Sequence, residues 1–426
     1  MQADQSYTRP STRYYALGLL TVVYTFNFVD RQLLAILQES IKQDLLLSDA
    51  QLGLLTGFAF AVFYVTAGIP IARWADKGNR RNIVALAIGI WSFMTALSGA
   101  VQNYLQLLLA RIGVGVGEAG GSPPAHSIIS DIFPPERRAS ALSFYSTGVN
   151  VGLLFGFLAG GWLNEFFGWR VAFVVVGLPG IFIALLVRFT LREPARGLAE
   201  QRAAQTQAEP LGQVLRLLWS RPSFRHMALG AAANAFAVYS LNSWTASFFI
   251  RSYGMGSGEV GSWLALILGF GGALGLLAGG VLAERLGVRD TRWYNWVPAW
   301  AAVLCAPFVC ATFLVDDARL ALLCFVVPGT LATVYLGNTL AMVHGLVGLR
   351  MRALASAILL FVLNIIGLGL GPFSVGLLSD LLEPSLAQHA LRNALLLVVP
   401  LAFVWSATHF FLSARNLRHD LARAPE

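Results

Sequence analysis

Residues 111–125 read RIGVGVGEAGGSPPA, and the fold depends on how this stretch is interpreted. Gly115, Gly117 and Gly120 have the G-x-G-x-x-G spacing of a dinucleotide-binding turn. Such a turn needs a strand before the glycines, a helix after them and an acidic ribose partner further on. The same stretch carries Arg111 and Glu118 within an apolar run, so the surrounding chain must decide between the two interpretations.

The composition is that of a membrane protein. Hydrophobic residues make up 56% of the 426 residues and charged residues 12%, whereas a soluble domain has about 25% charged residues. The apolar residues form twelve runs, from 14–38 to 388–413, each long enough to cross a hydrocarbon core of about 30 Å. The sequence therefore predicts an all-α membrane protein with twelve transmembrane helices. No early cleavage site follows the polar start, so we expect the first helix to be retained.

One long polar segment divides the runs into two sets of six. This segment, 192–222, separates an N-terminal six-helix bundle, 1–191, from a C-terminal six-helix bundle, 223–426. Its apolar residues within 211–218 recur with helical spacing, which suits a short amphipathic helix on the inner membrane face. An ordinary linker is the alternative interpretation.

The net charge of +8 is explained by membrane orientation. Most of the 30 Lys and Arg residues fall in segments that a cytoplasmic N-terminus would place inside. We therefore expect both termini to be cytoplasmic and no nucleic acid partner. We also expect a monomer in a bacterial inner (plasma) membrane. The spans contain all three cysteines, and we expect these to pack without a disulfide: Cys305, Cys310 and Cys324.

No cluster of His, Cys, Asp or Glu in the spans has metal-ligand spacing, and no activated nucleophile is evident. The sequence therefore predicts no metal, no cofactor and no enzymatic activity.

Two loops repeat at equivalent positions of the halves. The segment ARWADKGNRR (72–81) follows the second run, and GGVLAERLGVR (279–289) follows the eighth. Together with the R-x-x-x-G-x-G pattern at 111–117, these loops resemble those of the major facilitator superfamily over nearly the whole chain. The resemblance implies two pseudo-symmetric halves that move around a substrate site near the midplane. The glycines then serve close helix packing rather than a dinucleotide.

In that superfamily the two loops latch helix ends on the cytoplasmic side. The first copy departs from the family pattern, with Ala72 for the leading glycine and Asn79 for the later one. The resemblance implies a cytoplasmic gate that contains Asp76, Arg80, Arg81, Glu284, Arg285 and Arg289. The alternative is that these loops simply carry the positive charge expected on the inner side.

A glycine ridge marks the fifth run, where Gly148, Gly152, Gly156 and Gly160 recur at every fourth position. We expect a smooth packing face there. The ridge is similar to the family's antiporter signature, but Phe157 replaces its proline, which weakens an inference of antiport.

A narrower resemblance is to the Spinster branch, the lysolipid and sphingosine-phosphate transporters. It rests on FVDRQLLA (28–35), DKGNRR (76–81), RIGVGVGEA (111–119) and REPARG (192–197). This resemblance implies a lipid-like substrate.

Four charges lie inside predicted spans, where a buried charge costs several kcal/mol or more. Asp30 and Arg31 on the first helix lie at a depth similar to that of Arg111 on the fourth, with Glu118 about 10 Å further toward the cytoplasm. We predict that Asp30 and Glu118 carry the coupling proton and that Arg31 or Arg111 binds an anionic head group. A static structural ion pair is the alternative.

The remaining candidate substrate residues are neutral. His126 lies near the Pro123-Pro124 end of the fourth helix, where a proton relay or a hydrogen bond at a kink would both suit it. The C-terminal half offers polar and aromatic side chains amid apolar ones, which would face the tail of an amphiphile or simply pack: Asn234, Tyr239, Asn242, Trp244, Tyr335, Asn338 and Asn364.

These features together predict a proton-coupled secondary active transporter that moves an amphiphilic, lysolipid-like anion by alternating access. A proton-linked carrier of small organic anions or drugs is the alternative.

Overall fold

The protein is described by a computed structural model that covers Tyr7, residues 9–199 and residues 210–425. All regular secondary structure in these residues is helical, so the predicted all-α class is confirmed. The α-helices that they form are α1 (Pro10–Leu45), α2 (Asp49–Gly53), α3 (Ala59–Lys77), α4 (Arg80–Ser98), α5 (Tyr104–Glu118), α6 (Ser122–Ile132), α7 (Pro135–Thr190), α8 (Leu211–Ser220), α9 (Pro222–Tyr253), α10 (Ser257–Leu264), α11 (Gly272–Gly287), α12 (Trp293–Leu314), α13 (Ala318–Leu331), α14 (Tyr335–Gly345), α15 (Arg352–Leu363), α16 (Gly371–Leu386) and α17 (Ala390–Ala422).

These helices account for the predicted twelve crossings. In the described residues, eight helical stretches are long and apolar enough to span a membrane. Two of them, Glu136–Thr190 with 55 residues and Arg352–Ala422 with 71, are long enough for two crossings each, since one crossing needs about 20 residues. The first of these turns at Gly168, whose φ of 81° suits glycine. Two crossings remain. The fourth is formed by α5 together with α6, and the seventh is formed by α9.

Several crossings are interrupted. Three contain π-helical segments, which join α2 to α3, α10 to α11 and α15 to α16: Leu54–Phe58, Ala265–Gly271 and Asn364–Leu370. The fourth crossing breaks between α5 and α6, and the tenth breaks between α13 and α14. Interruptions at corresponding positions of two repeats point to the substrate region in transporters.

The chain forms two compact units. Unit 1 comprises Met1–Leu47, Ala59–Gln205 and Gly256–Ala265, and unit 2 comprises Ser48–Phe58, Thr206–Met255 and Leu266–Glu426. The units follow the predicted halves except for two short segments, 48–58 and 256–265, each of which belongs to the unit of the other half. The boundaries 191 and 223 stay predictions.

The glycine ridge packs α7 against α1 inside unit 1. A Cβ atom at Gly152 would lie 2.5 Å from the Cβ of Phe28, and one at Gly156 would lie 2.8 Å from the Cβ of Gln32. The predicted packing role of the ridge is therefore confirmed. The ridge also fixes the part of α1 that carries the charged pair 30–31.

The amphipathic segment of the linker forms α8. Val214 and Leu218 are buried in the apolar core of unit 2, whereas Leu211 and Leu215 are exposed. Val214 and Leu218 therefore anchor α8 to unit 2, while the other two apolar residues remain on the surface. Part of the linker, 200–209, lies outside the described residues.

Candidate functional site

The four charged residues predicted inside the first and fourth crossings meet in unit 1 as two ion pairs. Arg31 donates through Nε to Glu118 Oε2 at 2.7 Å, and Arg111 Nη1 lies 3.5 Å from Asp30 Oδ1. Asp30, Arg111 and Glu118 are only 1–2% exposed, whereas the Arg31 side chain retains 14% exposure. Arg31 is therefore the member of this quartet that a solute reaches most readily.

A hydroxyl group completes the surroundings of Asp30. Thr95 Oγ1 on α4 lies 2.6 Å from Asp30 Oδ2 and 2.8 Å from the carbonyl oxygen of Trp91. A hydroxyl has one proton and two acceptor lone pairs. Thr95 is thus equipped to donate to an ionised Asp30, or to accept from a protonated Asp30 while donating to the carbonyl. Sequence analysis does not single out Thr95, because one threonine in an apolar run is common.

Three aromatic rings surround the guanidinium of Arg31. Its Cζ lies 4.9 Å from the ring centroid of Phe28, 4.8 Å from that of Phe60 and 5.0 Å from that of Tyr64. Cation–π attraction at these distances stabilises a charge that is largely removed from water. The rings therefore hold Arg31 beside Glu118 without adding a second countercharge.

An aromatic ladder continues from this cage. Phe28 meets Tyr24 at 5.2 Å between ring centroids, and Tyr24 stacks on Tyr145 at 4.4 Å. Tyr145 in turn meets the ring of His126 at 5.2 Å. The imidazole of His126 is exposed. His126 thus lies in unit 1 at the far end of an apolar path that begins at Arg31.

Several buried polar atoms of the quartet have spare bonding capacity. Asp30 Oδ1, Glu118 Oε1, and Nε and Nη1 of Arg111 form no hydrogen bond within the described part of the chain. Such atoms are costly to bury. They are therefore the places where an added proton or an anion would change the energy of the site most.

The glycines of the opening stretch bring α5 close to its neighbours. A Cβ atom at Gly115 would lie 3.2 Å from the carbonyl oxygen of Phe60, and one at Gly117 would lie 2.8 Å from the backbone nitrogen of Trp91. Gly115 and Gly117 lie inside a helix rather than after a strand, which excludes a dinucleotide-binding turn. Glu118 is the last residue of α5, at the interruption of the fourth crossing.

Comparisons with known proteins agree with this architecture. The sequence pattern of the Major Facilitator Superfamily matches residues 20–372. The chain belongs to this superfamily. It is 37% identical over 412 residues to an MFS-type efflux pump of Mycolicibacterium smegmatis, covering 97% of this chain and 95% of that protein. It is also 26% identical over 431 residues to a sphingosine-1-phosphate transporter of Danio rerio, covering 96% of this chain and 85% of that protein.

A solved structure narrows the relationship. The crystal structure of a bacterial homologue of the human lysosomal transporter Spinster matches with a TM-score of 0.85 and 33% sequence identity, covering 97% of this chain and 99% of that chain. The predicted Spinster branch of the superfamily is therefore confirmed. The protein is an integral membrane transporter and not an enzyme.

In the first repeated loop, 72–81, Arg80 is the centre of a buried cluster of hydrogen bonds. Arg80 is fully buried and donates to Ser127 Oγ at 2.8 Å, to Glu193 Oε1 at 2.7 Å and to Asp131. Sequence analysis missed Asp131 and Glu193, because single charges near predicted loops are ordinary. Asp76 is exposed, and its side chain forms no hydrogen bond or ion pair within the described residues. Its gate role stays a prediction.

The Spinster-like segment 192–197 folds onto this loop. Glu193 Oε2 accepts the backbone N–H of Arg81 at 2.8 Å, and Arg196 donates to the carbonyl oxygen of Ala75 at 2.6 Å. The segment and the loop 76–81 therefore form one polar structure in unit 1.

Directly after the second repeated loop, 279–289, Asp290 forms ion pairs that sequence analysis did not predict. Asp290 accepts from Nε of Arg292 and from Nε of Arg418, each at 2.9 Å. The hydrogen bond from Arg292, helped by that from Arg418, lowers the pKa of Asp290 to about 2. The predicted gate residues of this loop are exposed and have no described side-chain bond: Glu284, Arg285 and Arg289.

The candidate substrate residues of the C-terminal half lie in unit 2. Asn234 donates to the carbonyl oxygen of Ala332 at the break before α14, at 2.7 Å, and Trp244 donates to that of Pro372 at 2.8 Å. These bonds favour the packing alternative for both side chains. For the other five residues, contact with the substrate stays a prediction. Tyr335 and Asn338 are buried, and Tyr239, Asn242 and Asn364 are partly buried.

Proposed function

We propose that the protein is a proton-coupled secondary active transporter that moves an amphiphilic, lysolipid-like anion by alternating access. The observation that carries this proposal is the buried quartet of two carboxylates and two arginines on α1 and α5. A quartet of this composition is neutral when every member is ionised. Intramembrane ionisable groups of this kind are functional candidates because their burial is costly.

Charge balance links the proton to the cargo. If Glu118 takes up a proton, the quartet carries one excess positive charge, and an anionic group at Arg31 restores neutrality. Arg31 is the most accessible member of the quartet, so the exchange of partners takes place there. Binding of the anion and protonation of Glu118 then favour each other.

Asp30 provides a second proton site. Thr95 is within hydrogen-bonding distance of Asp30 and of a backbone carbonyl, so its hydroxyl serves either protonation state of the carboxyl group. Arg111 lies 3.5 Å from Asp30 and has unused donors. The second pair therefore tolerates a change of charge without a large movement.

The aromatic ladder supports an amphiphilic cargo. An anionic head at Arg31 would lie beside Phe28 and Tyr24, which are partly buried and whose rings offer an apolar surface to a chain, while the buried ring of Tyr145 stacks behind Tyr24. Membership in the Spinster branch and the similarity to the sphingosine-1-phosphate transporter of Danio rerio also support a lysolipid-like substrate.

A second candidate function is export of small organic anions or drugs. It is favoured by the efflux pump of Mycolicibacterium smegmatis, which is 37% identical to this chain. The three rings around Arg31 also suit a planar aromatic carboxylate.

We place the transporter in a bacterial inner membrane as a monomer with both termini cytoplasmic. The distribution of Lys and Arg supports this orientation.

Reconstitution tests cargo and coupling together. Fluorescent lysophosphatidate is added to proteoliposomes with an imposed pH gradient. Extraction with albumin then measures the fraction of this lipid in the outer leaflet of the bilayer. We expect the gradient to change this distribution, and unlabelled lysophosphatidate to compete while benzoate does not. Competition by benzoate alone favours the second candidate. A distribution that is the same with and without the gradient contradicts proton coupling.

A further inference from the structure

An apolar groove runs between α9 and α17 in unit 2, and we call it the α9–α17 groove. Its volume is about 450 Å³, within the range of roughly 300–1,000 Å³ that is usual for small-ligand pockets. Every residue that lines it is hydrophobic, and its two long walls are formed mainly by Leu229, Ala233, Phe236, Leu397, Leu401 and Trp405. The groove therefore suits a hydrocarbon chain.

The groove is open on one side and closed behind. Leu401 is 61% exposed and Trp405 is 58% exposed, although both lie in the membrane-spanning stretch Arg352–Ala422. Apolar side chains exposed in a crossing contact lipid. Behind them the helices meet closely, since a Cβ atom at Gly230 on α9 would lie 3.2 Å from the carbonyl oxygen of Ser406 on α17. The open side is thus accessible from the bilayer.

One end of the groove is basic. Arg225 lies one turn before Leu229 on the same face of α9, and His409 lies one turn after Trp405 on the same face of α17. A contact of 3.0 Å between Nδ1 of His226 and Nδ1 of His409 brings these ends of the two helices together. Arg225 is exposed, and its side chain forms no hydrogen bond or ion pair within the described residues. Its guanidinium therefore retains its donors for a ligand.

The histidine pair adds a donor at the same end. In a contact between two Nδ1 atoms, one ring donates and the other accepts, so the accepting ring carries its own proton on Nε2. This Nε2–H has no acceptor in the described part of the chain. The ring of Trp405 stacks on His409 with 5.4 Å between the centroids, which places an indole beside the pair. Tryptophan at such a site is typical of a membrane interface.

No acidic side chain offsets this charge from the two helices. The sequence of α9 contains neither Asp nor Glu, and that of α17 contains only Asp420. Asp420 is 2% exposed and accepts the backbone N–H of Ser223 at 2.8 Å. The basic end of the groove therefore complements an anionic group, and basic pockets between membrane helices are typical sites for anionic lipid head groups.

The length of the groove matches one leaflet of a bilayer. From Arg225 to Phe236, α9 rises by about 16 Å, and half of a hydrocarbon core is about 15 Å thick. Arg225 is the fourth residue of α9, so it lies near the membrane surface, where lipid phosphates lie. With the expected cytoplasmic N-terminus, this surface is the inner one.

We propose that the α9–α17 groove binds one acyl chain of an anionic phospholipid from the inner leaflet. Arg225 binds the phosphate group of this lipid, and the histidine pair of His226 and His409 donates to it. The lipid is a resident of unit 2 rather than cargo. The inference holds for any transported substrate, and its test measures no transport.

The test compares two tryptophans of similar exposure. Trp405 lines the groove and is 58% exposed, whereas Trp300 on α12 lies outside it and is 54% exposed. The full chain is reconstituted into phosphatidylcholine vesicles that contain increasing fractions of phosphatidylglycerol with brominated acyl chains. Bromine quenches tryptophan fluorescence on contact, and the variants Trp405→Phe and Trp300→Phe give the contribution of each residue by difference.

We expect brominated phosphatidylglycerol to quench Trp405 half-maximally at a mole fraction about five-fold or more below that needed for Trp300. The preference arises because charge-assisted hydrogen bonds hold the phosphate at one end of the groove. Brominated phosphatidylcholine should quench the two tryptophans at similar fractions, since its choline group opposes the positive charge of Arg225.

Three variants locate the site. Arg225→Gln should abolish the preference of Trp405 for phosphatidylglycerol, because it removes the charge that binds the phosphate. Ala402→Phe should abolish it as well, since the added ring fills the groove that Ala402 lines. Replacing both His226 and His409 by phenylalanine should reduce the preference in part, because Arg225 remains.

The matched control is Arg415→Gln. Arg415 is also an exposed arginine on α17, and its substitution should leave the preference unchanged. If Trp405 and Trp300 are quenched at the same fraction of brominated phosphatidylglycerol, the groove has no preferred lipid and the inference is wrong. A preference that survives in well-folded Arg225→Gln and Ala402→Phe proteins places the lipid elsewhere and also overturns it. Quenching of Trp405 that weakens as the protein-to-lipid ratio rises would identify a second copy of the chain as the occupant instead.

Discussion

Arg31 and Glu118, which are 87 residues apart in the sequence, are joined by a 2.7 Å hydrogen bond from Nε to Oε2. The second pair of the quartet is looser, with 3.5 Å between Arg111 Nη1 and Asp30 Oδ1. The tighter pair contains the more accessible arginine, and both side chains of the looser pair are buried. The two pairs are therefore suited to different tasks: the first to exchange partners and the second to adjust its charge in place.

The first prediction concerns Glu118. Glu118→Gln imitates the protonated carboxyl group and keeps an oxygen for Arg31, so the protein should fold and bind cargo. Transport in proteoliposomes should lose its response to an imposed pH gradient, because the amide cannot release a proton. The ratio of initial rates with and without the gradient should fall to about 1. Asp30→Asn should behave similarly. If both variants respond to the gradient as the unaltered protein does, the proton switch does not exist.

The second prediction distinguishes the hydrogen bond of the Thr95 hydroxyl from the packing of the Thr95 side chain. Thr95→Val removes the hydrogen bond to Asp30 but preserves the side-chain volume, whereas Thr95→Ser retains the hydroxyl. A hydrogen bond to a charged group contributes about 1.5–3 kcal/mol, so we expect Thr95→Val to slow gradient-driven transport about ten-fold or more. Thr95→Ser should remain within about two-fold of the unaltered rate. Equal rates for both variants would show that Thr95 serves packing alone.

Sequence reasoning found the charged quartet because charges are conspicuous in apolar runs. It did not find the partners of Arg80, since Asp131 and Glu193 come from separate stretches that only the tertiary fold brings together. It likewise left Trp244 open between a substrate role and packing, and only the fold shows that its indole N–H donates to the carbonyl oxygen of Pro372. Residue type reveals that a buried group needs a partner, but packing decides which partner it obtains.

The overall architecture also has parts that the sequence predicts and parts that it does not. Twelve crossings and the helix α8 follow from hydrophobic spacing and length. The π-helical segments, and the assignment of segments 48–58 and 256–265 to the unit of the other half, carry no such periodic signal. They depend on close backbone approach, as at Gly53 against Pro372, which no pattern within one segment encodes.

The third prediction contrasts Arg80 with Asp76. Arg80→Ala leaves Asp131 and Glu193 without their buried countercharge, and breaking such a pair costs about 3–5 kcal/mol. The midpoint of thermal unfolding in detergent should fall by roughly 6 to 15 °C. Asp76→Asn should change it by less than about 2 °C, because Asp76 is exposed without a described partner. Equal losses in the two variants would contradict the assignment of the buried cluster to Arg80.

The fourth prediction concerns pH and Asp290. Its hydrogen bonds from Arg292 and Arg418 lower its pKa to about 2, below the value of about 3.9 for an unfolded chain. The folded state therefore gains stability from this carboxylate above about pH 4, and the gain is lost as pH falls toward 2. Because Arg418 is largely exposed, we expect the unaltered protein to unfold only about 1 to 3 °C above Asp290→Asn near pH 6. The difference should narrow between pH 4 and pH 2. A difference that grows on acidification would contradict this sign.

The last prediction separates the roles of the two arginines. Arg31 lies against three rings and keeps some exposure, whereas Arg111 is buried and pairs with Asp30. Lysine keeps the positive charge but loses the planar fork that stacks on rings and binds carboxylate or phosphate through two donors. Arg31→Lys should therefore fold normally and raise the cargo concentration at half-maximal rate about ten-fold, with a smaller change in the maximal rate. Arg111→Lys should instead lower the thermal unfolding midpoint and reduce the maximal rate, because a compact ammonium group cannot span the distance to Asp30 in the same way. Transport kinetics and unfolding are measured on the same preparations, so that loss of folded protein is not mistaken for weak binding. If Arg31→Lys reduces stability while its half-saturation is unchanged, Arg31 is a structural partner of Glu118 and the anionic head binds elsewhere.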